Sequence, residues 1–216
     1  MSNRCRASQK YCSIIFSLLL FWASPSTAEE PLSKGLIHWD WHHQEILTWK
    51  QSISQNEQIA QPERTRLLSA IMSRFRTTDF DSQDQLRTTA AETRIKYVDL
   101  NDDGIPEVIA QAGGDRGCSP TGNCTFWVFR RVGDTYTLLL ESDAQTFSIQ
   151  PTRSNNLYDL LLTRHDSAYE SEIKPYKFDG KMYRKRGCYD AEWTQLDSDG
   201  EYHDLKEPVI SRCTAP

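Results

Sequence analysis

Asp99-Leu-Asn-Asp-Asp-Gly-Ile-Pro-Glu107 stands between two segments with a side-chain period of two, residues 93–99 and 107–112, and its reading organises the rest of the chain. Side-chain oxygens fall at alternate positions, on Asp99, Asn101 and Asp103. Gly104 follows where the chain must turn sharply, the Ile105 carbonyl comes next, and Glu107 closes the run. A hard divalent cation is held by such a series of carboxylate, amide and main-chain oxygens, so the stretch is expected to be a calcium loop joining two strands. Four acidic side chains (Asp99, Asp102, Asp103 and Glu107) lie within nine residues and repel one another unless a cation or solvent relieves them. Calcium is expected over magnesium because the ligands are protein oxygens of flexible denticity. An ion there fixes the turn and the strand register, a structural task that requires no reaction on a substrate.

Downstream of the loop the period of two continues. Residues 125–132, 135–141, 145–150, 157–163, 171–178 and 181–186 read as strands, with Gly133-Asp134 and Asp179-Gly180 as hairpin turns, the second an Asp-Gly pair suited to a two-residue loop. Links this short leave no room for crossover helices and imply antiparallel pairing. Upstream the pattern is helical. Residues 38–49 place Trp39, Ile46 and Trp49, with Ile53 beyond, on one stripe of an amphipathic helix. A second helix starts at Pro62 and carries Leu67, Leu68, Ile71, Met72 and Phe75 at helical spacing. A third begins at Ser82, with Gln85 completing a capping box and Leu86 on the buried side. The expected fold class is therefore α+β: N-terminal helices followed by an antiparallel β-meander sheet, with the calcium-type loop between two of its strands.

The N-terminus has a different character. Arg4, Arg6 and Lys10 precede the apolar run from Ile14 to Trp22, and small residues follow up to Ala28. These are the parts of a secretory signal peptide, expected to be cut after Ala28, and the apolar run is well short of the ~20 residues a spanning helix needs. The expected organisation is a signal peptide over residues 1–28, a helical part over 29–92 and a sheet part over 93–216. Cys5 and Cys12 precede the apolar run, which excludes a lipid-anchoring cysteine, so a soluble secreted or periplasmic protein is expected.

Beyond residue 28 four cysteines remain, Cys118, Cys124, Cys188 and Cys213, an even number suited to an oxidising compartment. Pro, Gly and Asn between Cys118 and Cys124 reverse the chain readily, so Cys118 is expected to join Cys124, leaving Cys188 for Cys213. Neither pair has the spacing of a zinc knuckle. The 216-residue chain is 38% hydrophobic, 25% charged and 11% aromatic, a globular composition. Three of its 25 basic residues and none of its 30 acidic ones fall within the first 28, which leaves a net charge of -8 beyond them. Such a balance gives no general attraction for nucleic acid or anionic lipid.

The nine residues from Asp99 to Glu107 resemble the short Asp-x-Asp-x-Asp-Gly-x-x-Asp loops of FG-GAP and VCBS-type repeats and the front of an EF-hand. That resemblance implies calcium ligands at Asp99, Asn101, Asp103, the Ile105 carbonyl and Glu107. An EF-hand would carry an acidic residue where Ala110 stands, and a propeller would need several copies of the loop. A longer resemblance, from the loop to Tyr189, is to uncharacterised exported bacterial proteins, and it implies no activity.

Other constellations are weaker. His38, His42 and Glu45 share a helical face in this reading, but a His-Glu-x-x-His motif is absent and the interleaved tryptophans describe a packing face. His165-Asp166-Ser167 has the residue types of a hydrolase triad, although sequence neighbours rarely converge on one atom. Asp197-Ser-Asp-Gly-Glu201 reads as a turn. Gly113-Gly-Asp-Arg-Gly117 leads into the cysteine loop, and a disulfide-stapled hairpin there can serve recognition. Asn123-Cys-Thr125 is a glycosylation triplet if the host glycosylates. The expected function is an exported calcium-binding module that acts by binding a protein or envelope ligand, with no catalytic residues and calcium as a structural ion. The alternatives are a cell-envelope hydrolase with a metal-assisted or carboxylate site, and an inhibitor of a secreted enzyme.

Overall fold

The computed structural model describes residues 45–167 and 170–213, all within the unit Ser33–Pro216. The expected signal peptide and the His38/His42 pair lie outside the described residues. In chain order the elements are β1 (Glu45–Ile46), α1 (Gln61–Met72), a 3-10 turn (Thr77–Asp79), α2 (Gln83–Ala91), β2 (Arg94–Val98), β3 (Glu107–Gln111), a helical turn α3 (Gly114–Gly117), β4 (Cys124–Val132), β5 (Thr135–Ala144), β6 (Thr146–Ser154), β7 (Leu157–His165), β8 (Glu170–Phe178), β9 (Tyr183–Lys185), β10 (Tyr189–Leu196) and β11 (Tyr202–Arg212).

These strands form two antiparallel sheets. One has the order β2-β3-β4-β5; the other has the order β1-β6-β7-β8-β10-β11, with β9 also paired to β8. The α+β expectation is overturned: the fold is mainly β, with curled antiparallel sheets in place of N-terminal helices followed by one meander. Three observations account for the difference. Glu45 and Ile46, expected in a helix, are extended and pair with Ile149 and Ser148 of β6, so a contact about a hundred residues away overrides a local helical pattern. Residues 189–212, not expected as strands, form the β10–β11 hairpin around the Asp197–Glu201 turn. Only Gln145 separates β5 from β6, so the chain passes from one sheet to the other through a one-residue corner, where Gln145 N donates to Thr163 O at 2.8 Å.

Among the described residues, the two longer helices, α1 and α2, follow their local signals. Pro62 sits in the first turn of α1, and Leu67, Leu68 and Ile71 are its buried residues. Its N-cap, Ala60, has no side-chain oxygen. Arg64 instead ties the preceding segment down, donating to the carbonyls of Ile53 and Asn56. At α2 the Ser82 hydroxyl accepts from Gln85 N at 3.1 Å, while Gln85 Oε1 accepts from Asp81 N at 2.8 Å. This is a capping box whose return bond is displaced by one residue.

The central strands of the four-stranded sheet, β3 and most of β4, are buried on both faces. Val108, Ala110, Trp127 and Phe129 pack with Ile53, Leu67 and Ile71 on the helical side. Ile109, Phe126 and Val128 pack with Phe147, Leu160, Leu162 and Tyr176 of the second sheet. All five residues of β3 are consequently buried. A smaller cluster, Leu161, Ile173, Ala191 and Ile210, covers the far face of the second sheet.

Two turns qualify the sequence reading. Gly133-Asp134 is a two-residue hairpin loop between paired Val132 and Thr135. Asp179-Gly180 is part of a four-residue loop, because Phe178 pairs with Tyr183, and the Asp179 carboxylate accepts from the main-chain N–H of Lys181 and Met182. Both disulfides pair as expected, Cys118 with Cys124 and Cys188 with Cys213.

Phe147 is fully buried between the sheets, and its ring lies 5.6 Å from that of Phe126. Phe147→Ala is expected to cost about 3–5 kcal/mol, seen as a lower urea midpoint at unchanged slope. A loss below about 1 kcal/mol would contradict the packing described.

Candidate metal site

The Asp99–Glu107 loop joins β2 to β3, which pair from Val98↔Glu107 to Arg94↔Gln111, so its two ends are held at hydrogen-bonding distance. Its interior is an orderly set of side-chain to main-chain bonds. Asp99 Oδ1 accepts from Asn101 N at 3.3 Å and from Asp103 N at 3.2 Å; Asp99 Oδ2 accepts from Gly104 N at 2.7 Å. Asp103 Oδ1 accepts from Ile105 N at 2.8 Å, and Asn101 Nδ2 donates to Asp103 Oδ2 at 2.7 Å. Gly104 has φ +83, a left-handed conformation that glycine adopts without a Cβ penalty.

Glu107 is differently placed. It is 2% exposed, its Oε2 accepts from Leu100 N at 3.0 Å, and its Oε1 meets Arg130 Nε at 2.8 Å. Asp99, Asn101 and Asp103 are thus gathered in one bend, while Glu107 is committed to the sheet interior. Ile105 contributes a main-chain carbonyl from an exposed position. As the side chains stand, the Asp99, Asp103 and Glu107 carboxylates do not fall within 4.8 Å of one another as a three-ligand group. The donor set fits a hard cation in kind, since every group is an oxygen donor; Asp99 Oδ1 already takes two N–H groups, but Asp99 Oδ2 and the Asp103 and Glu107 oxygens each take one donor and keep a second lone pair. Asn101 would meet an ion through its Oδ1, which accepts from Asp103 N at 3.3 Å and keeps a second lone pair.

The loop is also a joint between the two sheets. Tyr158 N, at the start of β7, donates to Leu100 O at 2.8 Å. Asp102, with φ 59, pairs with Arg153, whose guanidinium lies 4.0 Å from the centre of the Tyr158 ring, and the Tyr158 hydroxyl is 3.3 Å from the same carboxylate. Arg130 continues the link, its guanidinium 5.7 Å from the Phe178 ring. Asp159 is buried nearby and accepts from Thr152 Oγ1 at 2.7 Å. Burial, and then the Glu107 and Asp159 carboxylates, push the Tyr183 phenol above its ordinary value. Sequence reading missed the roles of Asp102, Arg130, Arg153 and Asp159, and no local pattern marks them.

The remaining candidates separate. His165 is held through its main chain, its N–H and carbonyl both bonded to the Asn123 amide at 2.9 and 2.8 Å. Asp166 lies 3.5 Å from Arg164, and Ser167 Oγ meets Glu170, so these bonds do not build a hydrolytic relay. The same bonds bury Asn123 to 8% exposure, which withdraws it as a glycosylation acceptor in the folded chain. Glu45 pairs with Lys96 at 3.3 Å. Asp197 accepts from Asp199 N and Glu201 N and meets His203 at 2.6 Å, the bonding of a closed turn. No protein-family model, curated protein or solved structure matches the chain.

Removing the Arg130 guanidinium strands a buried carboxylate. Arg130→Ala is expected to cost about 1–3 kcal/mol, less than for a wholly buried pair because the Arg130 side chain is 31% exposed. Urea unfolding at neutral pH measures it, and an unchanged midpoint would contradict the role assigned to this pair.

Proposed function

We propose that the chain is an exported module that binds calcium at the Asp99–Glu107 loop and acts by engaging a protein or envelope ligand, the ion bracing the joint between its two sheets. The observation that carries this reading is the bonding of Asp99, whose carboxylate gathers the N–H groups of Asn101, Asp103 and Gly104 and so shapes an oxygen-lined bend before any ion arrives. Asp99, Asn101, Asp103 and the Ile105 carbonyl are the ligands proposed, with Glu107 joining by way of its remaining lone pairs. This keeps the FG-GAP/VCBS-type resemblance as a likeness of the loop alone. Export is supported by the two disulfides, which persist in oxidising compartments. No helix among the described residues is long and apolar enough to cross a membrane.

Titration calorimetry of the chain with Ca2+ tests the site. One equivalent is expected to bind, to raise the melting temperature, and to add about 2.7 kcal/mol of stability at a hundredfold excess over Kd. Asp99→Asn is expected to weaken binding on the order of tenfold or more. Absence of both heat and thermal shift would remove calcium from the proposal.

A second reading, an inhibitor that presents the Gly113–Cys124 loop, is favoured by a polar hollow of about 450 Å³ lined by Arg116, Ser119, Thr121, Asn123, Asp143 and Arg164. Assays of a panel of secreted hydrolases check it. Inhibition that Arg116→Ala relieves would support the reading, and no inhibition of any member would sink it.

A further inference from the structure

The Cys188–Cys213 disulfide has unusual neighbours. Cys188 immediately precedes β10 and Cys213 immediately follows β11, and Cys213 N donates to Cys188 O at 3.1 Å. Glu172 on β8 and Asp190 on β10 are directly opposite each other in the register. Like charges at such positions destabilise a sheet unless something relieves them. Glu172 Oε1 lies 3.0 Å from Cys188 Sγ, and Asp190 Oδ1 lies 3.2 Å from Cys213 Sγ. Sulfurs joined to each other carry no proton, so neither contact is a hydrogen bond in the oxidised chain. Lys174 Nζ, 2.9 Å from Glu172 Oε2, offsets one of the two charges and leaves Oε1 facing the sulfur. Among the described residues, Glu172, Cys188 and Cys213 also offer ligand atoms that all lie within 4.8 Å of one another.

We propose that Cys188, Cys213, Glu172 and Asp190 form a redox-gated site for a borderline-soft divalent cation of the Zn2+ class, closed while the cysteines are joined and opened when a thiol reductant separates them. Two thiolates and two carboxylates supply the four ligands of a tetrahedral zinc site, with Glu172 already grouped with both sulfurs and Asp190, 3.2 Å from Cys213 Sγ but outside that group, turning in to complete it. Thiolate donors select such an ion over the hard calcium or magnesium ions that an all-oxygen loop takes. Lys174 serves as the outer partner that orients a ligating carboxylate.

The chemistry balances. A dithiol gives two electrons and two protons to the Cys188–Cys213 bond and leaves as its own disulfide. The resulting S–H groups donate to Glu172 Oε1 and Asp190 Oδ1, which restores proton donors to both contacts. Zn2+ then displaces the two thiol protons to solvent. Zn–S distances near 2.3 Å in a tetrahedron require the sulfurs to part to about 3.8 Å. Side-chain rotation accommodates this, because the main-chain bond between the two cysteines and the β10–β11 ladder hold the backbone in place.

The test uses the full chain carrying Cys5→Ser, Cys12→Ser, Cys118→Ser and Cys124→Ser, so that Cys188 and Cys213 are its remaining cysteines. It is reduced with a phosphine and titrated with Co2+ as an optical stand-in for Zn2+. One equivalent is expected to give a thiolate-to-cobalt charge-transfer band with tetrahedral d–d bands that Zn2+ abolishes, while the unreduced protein gives neither. Glu172→Gln and Asp190→Asn are each expected to weaken Co2+ binding on the order of tenfold or more. A reduced chain that keeps its near-ultraviolet circular dichroism yet shows no such bands overturns the proposal, as does unchanged affinity in both carboxylate variants. If reduction unfolds the chain, recovery of the near-ultraviolet signal on adding Zn2+ supports the site, and failure to recover overturns it.

Discussion

A carboxylate buried inside a sheet interface must be paired on every side, and Glu107 meets that requirement in a way that shapes its surroundings. Its two oxygens take the N–H of Leu100 and the guanidinium of Arg130. The first bond draws the end of the loop inward, so that the Leu100 side chain is fully buried in the core between the sheets. The second holds Arg130 against the β8 side of the molecule, over Phe178. An unpaired charge at this depth would cost several kcal/mol. The loop, β4 and the second sheet are therefore positioned together.

That constraint explains why the acidic loop lies at a joint. Asp102, which no metal-ligand pattern uses, reaches Arg153 and Tyr158 at the β6–β7 hairpin, and the Leu100 carbonyl takes the Tyr158 N–H. Of the four acidic residues in the loop, Asp102 and Glu107 have found protein cations. Asp99 and Asp103 are satisfied by main-chain and amide N–H groups, which leaves their negative charge without a protein counter-ion in these bonds. The proposed ion thus belongs to the residual charge of Asp99 and Asp103.

Burial on two faces governs the rest of the architecture. A sheet with α1 and α2 on one side and a second sheet on the other needs apolar residues at consecutive positions, and β3 supplies them in Val108, Ile109 and Ala110. The corner at Gln145 lets a single run of chain serve both sheets. At the far end of the second sheet the Cys188–Cys213 bond closes the β10–β11 hairpin, and the opposed Glu172 and Asp190 beside it are the reverse of what a purely structural staple would select.

Features whose partners lie within a few residues were legible in the amino-acid order. The Ser82 cap, Pro62 in the first turn of α1, the two-residue loop at Gly133-Asp134, the Cys118–Cys124 closure and the gathering of Asp99, Asn101 and Asp103 all follow from local chemistry acting over at most six residues. The helical stripe at residues 38–49 misled at Glu45 and Ile46 because the energy of strand pairing comes from β6, which no local period reveals. The β10–β11 hairpin was missed for a related reason, since its register breaks between Glu192 and Thr194 and interrupts the alternation a strand would show. Glu107 reads in sequence only as the last oxygen donor of the loop. Its second partner came from folding, which brings Arg130 from 23 residues away into the same interior. The apposition of Glu172 and Asp190 at the sulfurs likewise arises from cross-strand register, a property of paired backbones that a linear order of side chains does not contain.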